Sequence, residues 1–414
     1  MVRIRLAFAA AALSLGLCGP AWALSEADIA PLRALAEREA AKGDPRGKLL
    51  MDLFEGRGGR EEAQQASEWL QDAARRGHPE AQFQIGVQIE HETQNYAEAM
   101  KWYRMAADQG FALAQSNLAS FYLLGKGVPK DPAKALEWSL KAAAQGNAIS
   151  QARLGAMYSE GNGVPKDGRK AAEWLEKAAR QGLANAQAQL GGMLLLGAGV
   201  PMDKIRGTYW LEKAAVQGQP EAEELLRGSA RIGAQRPKPP PLSFSEAKAR
   251  AERGDAEASY RLARMYVEGA DGAPKDEKEG FRWASRAAFQ GHASAQAYTG
   301  FLLATGKGTS RDDRQAVGWW SKAAGKGDPM AQANLGLAHE QGQGGVAKDL
   351  REAARLYRLA ASQGQASAMS HLGRMYEKGL GGLRPDREMA AFLYRRAADS
   401  GFARAREYLD NLEK

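Results

Sequence analysis

Residues 147–182 read NAISQARLGAMYSEGNGVPKDGRKAAEWLEKAARQG, and much of the remaining chain consists of variants of this stretch. An apolar-periodic run reaches Gly161, a turn-rich connection follows over Asn162–Asp167, and a second periodic run ends at Gly182. This pattern predicts a helix–turn–helix repeat of 36 residues. A repeat of that size cannot bury its apolar face alone, so stacking of neighbours has to supply the core.

Working outward, a glycine closes each second helix at Gly43, Gly77, Gly110, Gly146, Gly182, Gly218, Gly254, Gly291, Gly327, Gly364 and Gly401. The intervals are 34, 33, 36, 36, 36, 36, 37, 36, 37 and 37 residues, a register that chance does not hold. The residue after a helix commonly takes the left-handed conformation, which a Cβ penalises.

Eight residues before these glycines stand Trp69, Trp102, Trp138, Trp174, Trp210, Trp283 and Trp319, then Leu356 and Leu393. At helical spacing beside alanine pairs such as Ala178-Ala179, Trp138, Trp174, Trp210, Trp283 and Trp319 are predicted to be core. Eight residues after the glycines come Leu118, Leu154 and Leu190 among others, with Thr299 the exception. A glycine often follows, as at Gly155, Gly191, Gly336 and Gly373, although mid-helix glycine costs about 1 kcal/mol against alanine. Its recurrence predicts a second helix passing too close for a Cβ, small residue against aromatic. In connections such as Gly161-Asn-Gly-Val-Pro-Lys-Asp167, two glycines supply positive φ, proline stiffens the exit and aspartate caps the next helix. The Gly-x-Gly follows a helix and lacks a Walker lysine–serine pair, so it does not read as a phosphate loop.

The pattern A-x-A-x-x-x-L-G-x-M-Y-x-x-G-x-G-V-x-x-D…A-x-x-W-x-x-K-A-A-x-x-G resembles the Sel1-like repeat, a relative of the tetratricopeptide repeat. The resemblance covers the chain from about Asp44 to its C-terminal end. It implies an all-α, right-handed α-solenoid that binds proteins or peptides on its concave side, with about nine complete repeats, one degenerate repeat and a C-terminal capping helix. The first repeat is degenerate, and Ile89–Ala97 lacks the glycine loop. Exported members include regulators of envelope signalling and scaffolds of polysaccharide-export machinery. Hydrolase activity of the β-lactamase kind is attributed to cysteine-rich members, and those carry paired cysteines that this chain lacks.

One repeat departs from the pattern. Between Gly218 and Gly254 the tryptophan is missing, and Arg236-Pro-Lys-Pro-Pro-Pro-Leu242 favours an extended polyproline segment. The following helix is predicted to shorten to about Ser243–Arg253. The segment reads either as a stiff connector or as a degenerate repeat within one superhelix. The expected organisation is an N-terminal block over 24–235, the proline-rich 236–242, and a C-terminal block over 243–414. Beyond Gly401, the final stretch is expected to be a lone capping helix with Arg404, Arg406 and Glu407 on its polar side.

The N-terminus, MVRIRLAFAAAALSLGLCGPAWA, carries Arg3 and Arg5, an apolar run over Leu6–Leu17 and the small-x-small signal Ala21-Trp22-Ala23. It is expected to be a signal peptide over 1–23, making the mature chain periplasmic or secreted. Its apolar run is too short for the ~20 residues that cross a bilayer, so no transmembrane segment is expected in the mature chain. Cys18 is the only cysteine. Leu17 before it argues against lipidation there, and no thiol would remain after cleavage.

The formal net charge is +8, two of it from Arg3 and Arg5. Many remaining cations, such as Lys177, Lys213 and Arg286, stand where they oppose the negative end of a helix. Nucleic acid is therefore not an expected partner.

No catalytic constellation emerges. His78, His91, His292, His339 and His371 form no H-E-x-x-H pair, no Gly-x-Ser-x-Gly elbow occurs, and the carboxylates are scattered. No metal, cofactor or catalytic residue is expected, and the chain is read as a monomeric, non-enzymatic scaffold. His78 and His292, just past terminal glycines, read as satisfied turn residues.

The positions that differ between copies lie at offsets +3, +7, +10 and +14 from each glycine, one stripe of the first helix. In the later copies the stripe holds Arg261, Arg264, Glu268, Tyr298, Phe301, Asn334, His371 and Arg374. Of these, Arg261, Arg264, Tyr298, Phe301, Asn334, His371 and Arg374 are the expected partner-binding residues on the concave face, since arginine and aromatic residues dominate interface energetics. Earlier copies offer Asn117, Ser120, Leu124, Ile149, Arg153, Ala156, Glu160, Gln189 and Leu196, a blander set. The partner is expected to be a protein or peptide. Carbohydrate, whether exopolysaccharide or peptidoglycan, is the alternative, because Tyr298 and Phe301 could stack on sugars.

Overall fold

The computed structural model describes residues 26–54, 57, 60–234 and 242–414, which form 22 α-helices and no strand. Three helices, Glu26–Ala41, Pro45–Phe54 and Arg60–Arg75, lead in. First helices then run over Pro79–Glu92, Ala112–Leu124, Ala148–Glu160 and Ala184–Leu196. Their second helices are Tyr96–Asp108, Pro132–Ala144, Gly168–Arg180 and Lys204–Val216. After Pro220–Ala234 and Phe244–Glu252 the alternation resumes. First helices Ala256–Glu268, Ala293–Thr305, Pro329–Gln341 and Ala366–Lys378 alternate with second helices Glu277–Phe289, Asp313–Gly325, Leu350–Ala361 and Arg387–Asp399. Ala403–Glu413 ends the chain as a lone helix, Ala405 buried and Arg404, Arg406 and Glu407 exposed. This is the all-α, solenoid-like stack of helix pairs that the sequence predicts. The leader over 1–23 with Cys18, and the proline-rich 236–242 apart from Leu242, lie outside the described residues.

Two compact units divide the chain: residues up to 202 with 213–222 form the first, and 203–212 with 223–414 form the second.

Local chemistry sets each boundary. The Asp167 carboxylate accepts the N–H groups of Arg169 and Lys170, each at 3.0 Å, and so caps Gly168–Arg180. Asp131, Asp276, Asp312, Asp349 and Asp386 do the same in their copies. Each such cap contributes about 1 kcal/mol. In the connection before Asp167, Gly161 has φ +80°, and Gly163 has φ +74° where a Cβ would lie 2.8 Å from Pro132. Conformation and close approach both demand glycine there. Ser243 and Glu246 form a capping box that starts Phe244–Glu252, and Arg253 is its C-cap.

The stack is held by two repeating devices. The first is the close approach predicted at the helical glycines. A Cβ on Gly155 would lie 2.5 Å from the Leu175 side chain, one on Gly336 2.9 Å from Tyr357, and one on Gly373 2.8 Å from Tyr394. The residue opposite the glycine is therefore the one after the tryptophan position, not the tryptophan. This corrects the expectation that all five indoles are core. Trp138, Trp210 and Trp283 are buried, but Trp174 and Trp319 are only half-buried. In their copies Leu175 and the half-buried Trp320 stand against the helical glycine, and Trp174 and Trp319 lie nearer the rim, Trp319 still packed on Ala287, Ala288 and Ala295. There Lys177 Nζ lies 3.8 Å from the Trp174 ring centre and Lys322 Nζ 4.6 Å from that of Trp319. The cations near the helix ends thus also cover indole faces. Leu118, Leu154 and Leu190 are at most 1% exposed, as the periodicity predicts.

The second device is a glutamine ladder. Gln151 Nε2 donates to the Ala143 carbonyl at 3.3 Å, while Gln181 Nε2 donates to Gln151 Oε1 at 2.8 Å and to the Gly146 carbonyl at 2.9 Å. Gln82 with Gln109, Gln115 with Gln145, and Gln187 with Gln217 repeat the link through the first unit. The helix-terminal carbonyls that lack intrahelical partners are satisfied in this way. In the second unit the complete link survives between Gln332 and Gln363. At Gln296 it is broken, because Lys326 occupies the donor position and Gln296 Oε1 is left buried without a partner.

Candidate protein-interaction surface

Within each unit, first helices of neighbouring repeats touch across the helix between them, as Ala112–Leu124 does with Ala148–Glu160 and Ala293–Thr305 with Pro329–Gln341. First helices therefore lie side by side within each unit. The variable stripe lies along them.

In the second unit the structure brings most stripe residues into internal networks. Arg261 Nε donates to Glu257 at 2.6 Å, and the other Glu257 oxygen meets His292 Nε2 at 2.9 Å. His292 Nδ1 also accepts the Ala295 N–H at 3.1 Å, so it is a helix cap. Arg264 is exposed and pairs with Glu268 at 3.0 Å one turn on. Tyr298 stacks on Phe301 with ring centres 5.9 Å apart and meets the Tyr260 edge at 6.0 Å. It is only 8% exposed, and burial pushes its phenol up to about 12. Its ring is held by neighbours and is not presented for stacking on a sugar.

His371 and Arg374 converge on Glu340, a carboxylate of the preceding first helix whose side chain is 12% exposed. His371 Nδ1 lies 3.4 Å from it, Arg374 Nη2 donates to it, and Tyr357 Oη donates at 2.8 Å. The His371 ring stacks on Tyr357 at 4.9 Å. Burial pushes the Glu340 carboxyl up, but the hydrogen bonds from His371 and Tyr357 and the Arg374 charge outweigh it, leaving the group below the usual carboxylate range. Burial drives the Tyr357 phenol well above its ordinary range. Asn334 is half-buried on the same first helix as Glu340. Arg264 and Arg374 do not meet, since each is held by its own acid in a different repeat.

Glu340 was not among the positions singled out in the sequence, yet a signal for it existed. Thirteen residues after a terminal glycine, Glu90, Glu340 and Glu377 occur in the copies that have Tyr103, Tyr357 and Tyr394 opposite the helical glycine. The Tyr103–Glu90 and Tyr394–Glu377 hydrogen bonds measure 2.8 and 2.7 Å. Acid and phenol occur together because each satisfies the other in a half-buried seam.

In the first unit the stripe is different in kind. Leu124, Ile149 and Leu196 are 57%, 55% and 66% exposed. Arg153 is half-buried between first helices and donates to Ser116 Oγ at 3.3 Å, Ser120 Oγ at 2.5 Å and Ser150 Oγ at 3.5 Å.

Nine segments match the Sel1 repeat: residues 53–78, 79–111, 112–147, 148–183, 184–219, 256–292, 293–328, 329–365 and 366–402. The chain belongs to the Sel1-repeat family. The internal gap between these segments, 220–255, takes in the helices Pro220–Ala234 and Phe244–Glu252. Among solved structures, this Sel1-repeat chain is similar to c5321, a protective antigen present in uropathogenic Escherichia coli strains, at 34% identity over 91% of this chain and 82% of that one, with a TM-score of 0.43. It is also similar to a Sel1 repeat protein from Oxalobacter formigenes, at 30% identity over 84% and 90% of the two chains, with a TM-score of 0.34. Chitin synthase regulatory factor 4 of Schizosaccharomyces pombe is 41% identical over 69 residues, 17% of this chain and 11% of that protein. Sel1-repeat proteins are typically protein-interaction scaffolds. Among the described residues, no helix is long and apolar enough to cross a membrane, and no group of three or more His, Cys, Asp or Glu could hold a metal ion.

Proposed function

We propose that this Sel1-repeat chain is a non-enzymatic scaffold of the bacterial cell envelope that holds a protein or peptide partner on its concave, first-helix face. One observation carries the reading. The copies agree most where they stack, at Leu154, Gly155 and their counterparts and, through the first unit, at the Gln151–Gln181 link, and diverge along the inner stripe. A surface under only a packing constraint needs no exposed Leu124, Ile149 and Leu196. The leader-like residues 1–23 support an envelope or secreted location.

The test is capture from an envelope extract on the immobilised chain, run beside Arg264→Glu and Ile149→Glu. Both positions are exposed, so unfolding midpoints should stay put while at least one variant loses the captured partner. Equal capture by both variants would place the contact off this face and sink the proposal. Arg374 is unsuitable for such a test, because an acid there would face Glu340 and destabilise the seam.

A further inference from the structure

We infer that Arg153 is an acceptor site for the side-chain carboxylate of a bound peptide, an aspartate or glutamate flanked by apolar residues. The inference deepens the scaffold reading and rests on it.

The concave stripe offers several arginines, and those of the second unit are already neutralised: Arg261 by Glu257, Arg264 by Glu268 and Arg374 by Glu340. Arg153 differs. Among the described residues no carboxylate pairs with it, and its hydrogen-bond partners are the hydroxyls of Ser116, Ser120 and Ser150. Those bonds use Nη1 and Nη2, and among the described residues no acceptor meets Nε–H. A cation taken partly out of water is costly unless an anion accompanies it. Consistent with that, burial pushes this guanidinium down to about 10. Serine dipoles orient the fork but do not cancel the charge. Their contacts hold the guanidinium plane across two adjacent first helices, preorganised for a two-oxygen acceptor.

The surroundings choose between a side-chain carboxylate and a chain terminus. Ile149 lies one turn before Arg153 on the same face. Leu124 lies one turn beyond Ser120 on the preceding first helix, and Leu196 takes the equivalent place on the following one. Arg153 therefore has exposed apolar side chains to either side of it on the first helices, Ile149 before it on its own helix and Leu124 and Leu196 beyond it on the neighbouring ones, while the exposed Glu160 follows two turns on in its own helix. A ligand that covers both must continue past its charged residue, which fits an internal acid and not a terminal one. Exposed leucine and isoleucine beside an uncompensated cation also disfavour a wholly acidic ligand.

The probe is a library of random dodecapeptides, amidated at the C-terminus, screened against the full chain. Enriched sequences are then measured by fluorescence anisotropy on wild type, Arg153→Gln and Ile149→Glu. The expected result is enrichment of an acid between apolar residues and at least tenfold weaker binding to either variant. Changing the peptide acid to its amide should cost the same factor on wild type and little on Arg153→Gln. Ile149→Glu keeps the test valid if Arg153→Gln proves unstable, since Ile149 is 55% exposed. Enriched peptides that bind both variants as tightly as wild type would overturn this site and leave the scaffold reading standing. Binding recovered only with free C-terminal carboxylates would overturn the side-chain assignment. An absence of any enriched peptide would count against both.

Discussion

Replacing Lys326 by glutamine should stabilise the second unit, and the structure gives the size of the gain. Gln296 is 5% exposed, its Nε2 donates to the Ala288 carbonyl at 3.0 Å, and its Oε1 has no partner. Lys326 Nζ reaches the Gly291 carbonyl at 2.5 Å and does nothing for Gln296. In the intact rung, Gln145 Nε2 donates both to the Gly110 carbonyl at 2.8 Å and to Gln115 Oε1 at 2.9 Å. Lys326→Gln therefore keeps the existing acceptor and adds the missing one. A buried acceptor left unsatisfied costs about 1–3 kcal/mol. Against it stands the loss of a cation near a helix C-terminus, worth about 0.3–1 kcal/mol when exposed. The net gain should be about 1 kcal/mol. It is measured as a raised denaturant midpoint, together with slower hydrogen exchange in the helices bearing Ala288 and Gln296, because repeat arrays open segment by segment. Lys326→Met is the control: it removes the donor without repairing the rung and should fall below wild type. If Lys326→Gln is no more stable than wild type, or matches Lys326→Met, the ladder is not a stabilising device.

Two further substitutions probe the other devices. Gly155→Ala places a Cβ 2.5 Å from Leu175 and should destabilise by about 1–2 kcal/mol despite the better helix propensity. Gly228→Ala, in a helix with nothing within 4 Å, should instead stabilise by up to about 1 kcal/mol, and equal effects at the two sites would refute the close-approach argument. Glu340→Gln tests the Tyr357–His371–Arg374 seam through pH. The folded-state pKa of Glu340 is depressed below 4.5, so its contribution is present above that value and is lost as pH falls through the folded one. The wild-type advantage in urea midpoint should be full at pH 7 and shrink below about pH 4.5. A gap that is constant down to pH 3 would mean that the carboxylate charge does no stabilising.

The repeat spacing, the capping aspartates and the helical glycines all follow from local rules: a Cβ clash, a positive φ, an unpaired N–H at a helix start. Those rules act over a few residues, so one chain read alone is enough to place helix pairs and to predict that glycine marks a close approach. The sequence could not say which residue fills that approach. Trp174 and Leu175 are neighbours in the chain and both apolar, and only the rotation of one helix against the next puts Leu175 inside and Trp174 under Lys177. The glutamine ladder was legible in principle, since Gln82, Gln115, Gln151 and Gln187 recur in register. Its meaning required knowing that each faces the end of the preceding helix.

The stripe shows the division most sharply. Composition favoured the arginines and aromatics of the later copies, and the fold ties Arg261, Arg264 and Arg374 to acids and encloses Tyr298 among rings. The same composition made Arg153 look ordinary. Its distinction is what its neighbours lack: serine hydroxyls stand at Ser116 and Ser120 where a carboxylate would have neutralised it. Residues 33 and 37 positions apart in the chain meet only because one first helix packs beside the next. Local sequence determined what the repeats are, and stacking alone decided which charges are left for a partner.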